Sequence, residues 1–231
     1  MFKYRHYTLE LLDGVDIAPL DLFQNLKELD TINRLLGGYN NTLKGLERVV
    51  SRNAQAATTV VDIGCGGGDT LKQMDKWGKQ KGYKLNLFGV DLKQECVNYA
   101  NENNPNASLT FICDDYRNAH LHLPKIDVLH ACLFCHHLSE NQIIELIQYA
   151  QKNHIILIIN DLERNPIAYY SIKFLTRLFS KSYLVKNDAP LSVLRGFKKT
   201  EWFAILRQAK ATNYTLRWQW AFRHQIIIKP T

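Results

Sequence analysis

The sequence has no long apolar run. None of its stretches approaches the roughly 20 residues that span a bilayer, so no membrane span is expected. Its start, Met1-Phe2-Lys3-Tyr4-Arg5-His6-Tyr7, lacks the apolar stretch that follows the charges of a secretory signal. The cytoplasm is therefore the expected location. Cysteine is sparse and odd in number, with five residues: Cys65, Cys96, Cys113, Cys132 and Cys135. In a chain without an export signal this excludes a disulfide framework and implies reduced thiols. There is no repeat, no low-complexity segment and no long Lys/Arg run. The net charge is +7, but the basic residues are scattered, with mild groups at 173–186 and 198–199. No RNA-binding signature accompanies them, so a solvated basic surface is expected rather than a nucleic-acid footprint.

What is present describes a globular protein. Hydrophobic residues make up 46% and charged residues 22% of 231, enough for one domain over 1–231 with a buried core. Residues 9–52 read as helical. Leu20, Phe23, Leu26, Leu29, Ile32, Leu35 and Leu36 recur at spacings of three and four. Pro19 or Asp21 begins this helix, Gly37-Gly38 breaks it, and a second helix is expected from Asn41 to Arg52. From Thr58 onward, short β-branched or apolar strands alternate with helices. Strands are expected at 58–63, 84–90, 109–113, 126–132 and 154–159. Helices are expected at 69–81, 94–103 and 140–152, and a turn at Asn103-Asn104-Pro105-Asn106. Such alternation predicts an α/β fold with a doubly wound parallel sheet, whose ligands bind beyond the carboxyl ends of the strands. Every strand end carries a polar or flexible feature: the glycine cluster, Asp91, Asp114-Asp115, Cys135-His136-His137 and Asn160-Asp161. Residues 165–199 interrupt the alternation with an aromatic-rich helix over 166–180 and then a loop through Asn187-Asp188-Ala189-Pro190. An insertion of this length is expected to cap the site. A helix at 200–210 and two strands, 214–220 and 223–229, complete the pattern as a terminal hairpin.

The first strand runs into Asp62-Ile63-Gly64-Cys65-Gly66-Gly67-Gly68-Asp69. Glycines here let a backbone pass against a ligand. A dinucleotide fingerprint needs glycine at the first, third and sixth positions. Counting from Gly64, the sixth is Asp69, so the fingerprint fails. No Gly-Lys-Ser/Thr follows, which excludes a P-loop. The motif with its preceding acid resembles the first motif of the class I, Rossmann-like methyltransferases that use S-adenosylmethionine. The resemblance covers about 30–229, is strongest over 58–138, and extends to bacterial small-molecule enzymes of polyketide and aromatic metabolism. It implies a seven-stranded sheet with an antiparallel last strand, N-terminal helices over 1–52 and a helical cap over 165–199. It also implies that Asp91 holds the ribose hydroxyls, with Leu92 beside it, and that Asp114 or Asp115 contacts the adenine. Gly64 and Gly66 contact the methionine part, Cys65 and Gly68 are further cofactor-binding candidates of the turn, and Asp62 orients the turn or receives the ammonium group. A carboxylate such as Asp91 suits a vicinal diol because it accepts two hydrogen bonds at once. The segment Asn33-Arg34-Leu35-Leu36-Gly37-Gly38 is similar to a cofactor-covering helix, which brings in Asn33 and Gly37.

For the chemistry at the acceptor, Cys132-Leu133-Phe134-Cys135-His136 formally matches a haem attachment motif. That reading needs export and a surface loop, and neither is expected. A zinc site from the same residues and His137 is too crowded, so no metal is expected. His136 and His137 follow strand four, as in many small-molecule methyltransferases. Either is a candidate general base, since imidazole changes protonation near neutral pH. The alignment of nucleophile, methyl and sulfur supplies much of the rate in any case. The Asn/Asp-Pro-Pro-Tyr motif of amino-methylating nucleic-acid enzymes is absent after strand four. Tyr169, Tyr170 and Arg195 are candidate substrate contacts, Arg195 lying in a run, Pro190 to Phe197, similar to the bacterial enzymes. The expected activity is methyl transfer to a hydroxyl of an aromatic or polyketide-like small molecule. Rival readings are an RNA or protein methyltransferase and a cofactor-binding module without catalysis.

Overall fold

The computed structural model describes residues 1–14, 17–51, 56–104, 108–123 and 125–230. Seven strands form one sheet: β1 (Thr58–Ile63), β2 (Leu85–Asp91), β3 (Leu109–Cys113), β4 (Val128–Cys132), β5 (Ile156–Leu162), β6 (Tyr214–Gln219) and β7 (Arg223–Ile228). Their order is β3-β2-β1-β4-β5-β7-β6. The pairs among β1 to β5 are parallel, and β7 runs antiparallel to both β5 and β6. The order reverses between β1 and β4, and this switch point opens the crevice in which such sheets bind ligands.

The helices are α1 (Pro19–Leu35), α2 (Gly38–Glu47), α3 (Asp69–Lys81), α4 (Gln94–Asn103), α5 (Ala119–His122), α6 (Glu140–Lys152), α7 (Pro166–Phe179), α8 (Tyr183–Arg195) and α9 (Lys199–Gln208). Alternation along the strands sends side chains to two faces. Val61, Leu129, Ile159 and Ile226 pack against Ile143 and Ile147 of α6 and Trp202 and Ile205 of α9. Val60, Val128, Ile158 and Ile227 pack on the other face against Leu71 and Met74 of α3, Val97 of α4 and Leu46 of α2. Both faces are thus covered, as parallel strands require.

Several boundaries differ from the sequence expectation. Residues 9–14 hold only a short 3-10 turn at Leu11–Asp13, and α1 starts at Pro19 as its first helical residue. Gly37, with φ +71°, breaks the chain as expected, but α2 begins at once at Gly38 rather than Asn41. Arg52, expected to end that helix, and Pro105-Asn106 lie outside the described residues. Strand β5 runs three residues past its expected end, so Asn160 and Asp161 are inside it and fully buried. Burial is tolerated because Asn160 Nδ2 donates to Gly38 O (2.9 Å) and Thr42 Oγ1 (3.1 Å), and its Oδ1 accepts from Asn41 Nδ2 (2.6 Å). The expected loop at Asn187-Asp188-Ala189-Pro190 is helical, with Pro190 inside α8. The lost backbone donor is outweighed by burial of Leu184, Val185, Val193 and Leu194. Asp188 further ties α8 to the N-terminal segment by accepting from Leu11 N and Leu12 N, both at 2.8 Å.

Candidate active site

A cavity of about 1110 Å³ lies over the carboxyl ends of the strands, beneath α1, α7 and α8. One end is built by the β1–α3 turn. Gly64, Gly66 and Gly68 have φ of +66°, +52° and +75°, a region open to glycine and strained for other residues. Gly64 N and Cys65 N donate to Val90 O, which pins the turn against β2. Asp91 at the end of β2 locks it from the other side: its Oδ2 accepts from Gly66 N (2.8 Å) and its Oδ1 from Lys93 N (3.0 Å). Burial pushes the Asp91 carboxyl up, and these two N–H groups oppose the rise. Burial also raises the Cys65 thiol well above its ordinary value, so it is an inert wall. Asp69, opening α3, is raised to about 6 by burial and by nearby Asp30.

Asp62 is buried and lies 2.6 Å from Nδ1 of His130, whose Nε2 lies 3.1 Å from Thr42 Oγ1. This chain fixes the first acid of the motif from behind. Asp114 and Asp115 both line the cavity. Asp114 accepts from Asn118 and Asp115 N and sits 2.6 Å from His122 Nε2, contacts that hold its carboxyl down at about 2. Asp115 accepts from the backbone and guanidinium of Arg117.

The other end is made by the 3-10 turn Cys135–His137 and the N-terminal segment. His136 Nδ1 is 2.7 Å from Asp161 Oδ1, and Asp161 Oδ2 accepts from His136 N at 3.0 Å. Burial disfavours the Asp161 carboxylate, but His136 outweighs it and holds the acid low. His137 Nδ1 is 3.0 Å from Asp13 Oδ1. Glu10 stands between the rings, 3.6 Å from His136 Nε2 and 3.9 Å from His137 Nε2. Burial raises Glu10 to about 7, against the pull of His137, Ser192 and Arg195. Two guanidiniums hold the turn's backbone. Arg5 donates to His136 O and Leu138 O, both at 2.6 Å, and Arg195 to His136 O, His137 O and Thr8 O.

Of the residues singled out in the sequence, Asn33, Asp62, Gly64, Cys65, Gly66, Asp91, Leu92, Asp114, Asp115, His136 and His137 line the cavity. Five do not. Gly68 faces the sheet, where a Cβ would meet the Phe111 ring at 2.5 Å. Gly37 joins α1 to α2 and would point a side chain towards Trp220. Tyr169 is buried against Phe2, and Tyr170 is 60% exposed. Ala168, Ser171, Ile172 and Leu175 present the cavity face of α7 instead, because that helix packs one turn-face off from the aromatic pair. Arg195 is consumed by backbone carbonyls and Asp13 rather than aimed at a ligand. Missing from the sequence reading were Glu10, Asp13, His130 and Arg223. Only His130 carried a signal, a polar residue in the midst of the buried run Val128–Cys132.

Arg223 lines the cavity at the start of β7 and is 2% exposed. Its terminal Nη2 donates to Asn33 Oδ1 (2.8 Å), while Nε and Nη1 have no partner. Three non-glycine residues on the cavity wall, Leu133, Ala221 and Phe222, have φ between 54° and 58°. Such left-handed backbone costs energy and gathers at ligand sites.

Comparison with known proteins agrees with this geometry. Residues 60–153 match the family described as a methyltransferase domain. No curated protein sequence matches the chain. Among solved structures, the plantazolicin methyltransferase BpumL in complex with SAH is 18% identical over 92% of this chain and 96% of its own, with a TM-score of 0.58. A SAM-dependent methyltransferase from Aquifex aeolicus is 18% identical over 94% of this chain and 100% of its own, at 0.60. An O-methyltransferase family 2 protein from Planctomyces limnophilus, in complex with apigenin, is 13% identical over 95% of this chain and 63% of its own, at 0.62. With the β3-β2-β1-β4-β5-β7-β6 sheet and the glycine turn of β1, the chain has the class I S-adenosylmethionine-dependent methyltransferase fold, and residues 60–153 are similar to a methyltransferase domain.

Proposed function

We propose that this chain transfers a methyl group from S-adenosylmethionine to a hydroxyl of an aromatic or polyketide-like small molecule. The observation that carries the reading is the two-ended cavity. Its volume of about 1110 Å³ is at the upper edge of the roughly 300–1,000 Å³ that serves one ligand, which leaves room for a second molecule beside the cofactor.

The residues present fit the cofactor. Asp91 still has free lone pairs for the ribose diol, and Asp114 or Asp115 is placed for the adenine amino group. Gly64 and Gly66 let the methionine part lie against the turn, and Asp62 is the acid for its ammonium. The unpartnered nitrogens of Arg223 are the natural match for its carboxylate. When bound, the cofactor supplies an electrophilic methyl group on a sulfonium.

The acceptor's place is walled by Leu29 and Ile32 of α1 and Ile172 and Leu175 of α7. These apolar faces suit a flat, largely apolar molecule. His136 and His137, each backed by a carboxylate on Nδ1, line the same cavity and turn their Nε2 atoms towards Glu10. Holding the acceptor's oxygen in line with the methyl carbon is the main work left to the chain. A small molecule under α1, α7 and α8 is favoured over a polynucleotide, because the walls there are apolar rather than basic. A reducing compartment, the cytoplasm, belongs to the same reading.

The test is titration calorimetry with S-adenosylmethionine, followed by a labelled-methyl screen of phenols, polyketides and bulk RNA. Binding of the cofactor with label in a phenol or polyketide is expected. No cofactor binding, or label only in RNA, would refute the proposal.

A further inference from the structure

The residues Glu10, His136 and His137 come from places 126 positions apart in sequence, yet their ligand atoms all lie within 4.8 Å of one another. Each imidazole has its Nδ1 against a carboxylate: Asp161 for His136 and Asp13 for His137. A carboxylate only accepts, so Nδ1 carries the hydrogen, and in the neutral ring Nε2 is a bare lone pair. In that tautomer the two lone pairs and the Glu10 carboxyl face one another. Ser192 Oγ donates to Glu10 Oε1 (2.8 Å), the oxygen 3.6 Å from His136 Nε2. Arg195 is 3.9 Å from Glu10 but spends its nitrogens on three carbonyls and Asp13.

Something positive must lie between these three acceptors, either a shared proton or a cation. The distances discriminate. The Nε2-to-carboxylate separations are 3.6 and 3.9 Å, beyond the roughly 2.7–3.2 Å of a hydrogen bond. Ligands about 2.1 Å from one ion stand about 3.0 to 3.4 Å apart in octahedral or tetrahedral geometry, so a contraction of a few tenths of an ångström brings each Nε2–carboxylate pair to that spacing, the three ligand atoms lying within 4.8 Å of one another. The surrounding charge has the matching sign. Asp13, Asp161 and Asp188 face the cluster with three negative charges, and Arg5 and Arg195 with two positive ones.

We propose that Glu10, His136 and His137 form a binding site for a divalent transition-metal ion, of the kind that takes two imidazoles and one carboxylate. Asp161 and Asp13 are its outer carboxylates, fixing each ring's tautomer and direction as such partners do in metal sites. The set occupies one side of the ion and leaves the cavity side open. This deepens the proposed methyl transfer and rests on it for its purpose: the open positions hold the acceptor's oxygen. An ion-bound hydroxide takes the acceptor's hydroxyl proton and leaves as water, and the acceptor oxygen stays on the ion as an anion facing the methyl group.

The test uses the full chain stripped with a chelator, with cobalt(II) as an optical probe and zinc(II) in calorimetry. One cobalt ion per chain with visible ligand-field bands is expected, displaced by zinc. His137→Ala, at the partly exposed ligand, and Glu10→Gln should abolish binding. Asp161→Asn, which keeps all three ligands, should weaken it by about 10- to 100-fold. Thermal melts verify that each variant is folded, and His137→Ala serves if Glu10→Gln does not fold. Binding of S-adenosylmethionine is measured on the same stripped protein, so loss of the cofactor reading shows separately. Cobalt that binds equally to parent and His137→Ala, cobalt that does not bind, or full turnover of a labelled acceptor by the stripped protein would each overturn the metal site.

Discussion

Gly89, in the middle of β2, offers a sharp test of how the sheet supports the cofactor turn. A Cβ at this position would lie 2.7 Å from Cys65 Sγ, 2.8 Å from Phe111 Cδ1 and 2.9 Å from Leu71 Cδ1. All three neighbours are buried, and the backbone is ordinary strand, so Gly89→Ala adds crowding without dihedral strain. Overpacking of this kind costs about 1–3 kcal/mol. Reduced freedom of the unfolded chain returns about 0.4–1 kcal/mol. The net loss is about 1–2 kcal/mol, or about 3–6 °C in Tm for a chain of this size. Cys65 belongs to the turn, so part of the crowding is relieved by moving it. If about 1 kcal/mol of cofactor binding is lost with that movement, affinity falls about fivefold. Calorimetry with S-adenosylmethionine reads the affinity, and a thermal melt reads the stability. The double variant with Cys65→Ala, which removes the nearest atom, should recover part of both losses. Gly82→Ala is the contrast: φ is +76° and nothing lies within 4 Å, so stability drops by about 1 kcal/mol with cofactor affinity unchanged. Parent-like Tm and affinity in Gly89→Ala, or strict additivity with Cys65→Ala, would refute the reasoning.

Four other outcomes are expected. His130→Ala leaves Asp62 buried without its partner, and the loss should reach about 3–5 kcal/mol in urea unfolding, with weakened cofactor binding. Arg223→Met removes a buried charge that lacks a carboxylate, so the cofactor-free protein should melt no lower. Affinity for S-adenosylmethionine should fall about 10- to 100-fold, but affinity for the analogue lacking the carboxylate should hold. Asp69 has a folded pKa of about 6 against an ordinary 3.8, so the folded state binds its proton more tightly. Its contribution to stability is present below about pH 4 and lost as pH rises through 6, so the Tm advantage of Asp69→Asn should grow across that window. At the acceptor wall, Leu175→Ala should raise the acceptor KM and Tyr170→Ala should not, since only Leu175 faces the cavity.

Much of this was legible in the chain itself. Alternating β-branched strands and amphipathic helices specify a parallel sheet through local periodicity. The acid, glycine turn and Asp91 follow one another at strand ends, where sequence order and spatial order coincide. For that reason most of the residues proposed for the cofactor line the cavity together, Gly68 and Gly37 being the exceptions because a glycine's motif position does not say which way its missing side chain would point. The acceptor end is different. His136 and His137 were visible, but Glu10, Asp13 and Arg5 reach them from the N-terminal segment, and Arg195 and Asp188 from a helix that Pro190 disguised as a loop. These contacts exist only because burial of Leu184, Val185, Val193 and Leu194 folds α8 over the sheet and draws residues 5–13 against it. The local sequence thus determined where the glycine turn and the acids at the strand ends meet the cavity, and only the tertiary packing decided which carboxylates stand behind the histidines, because long-range contacts leave no period or spacing in the chain.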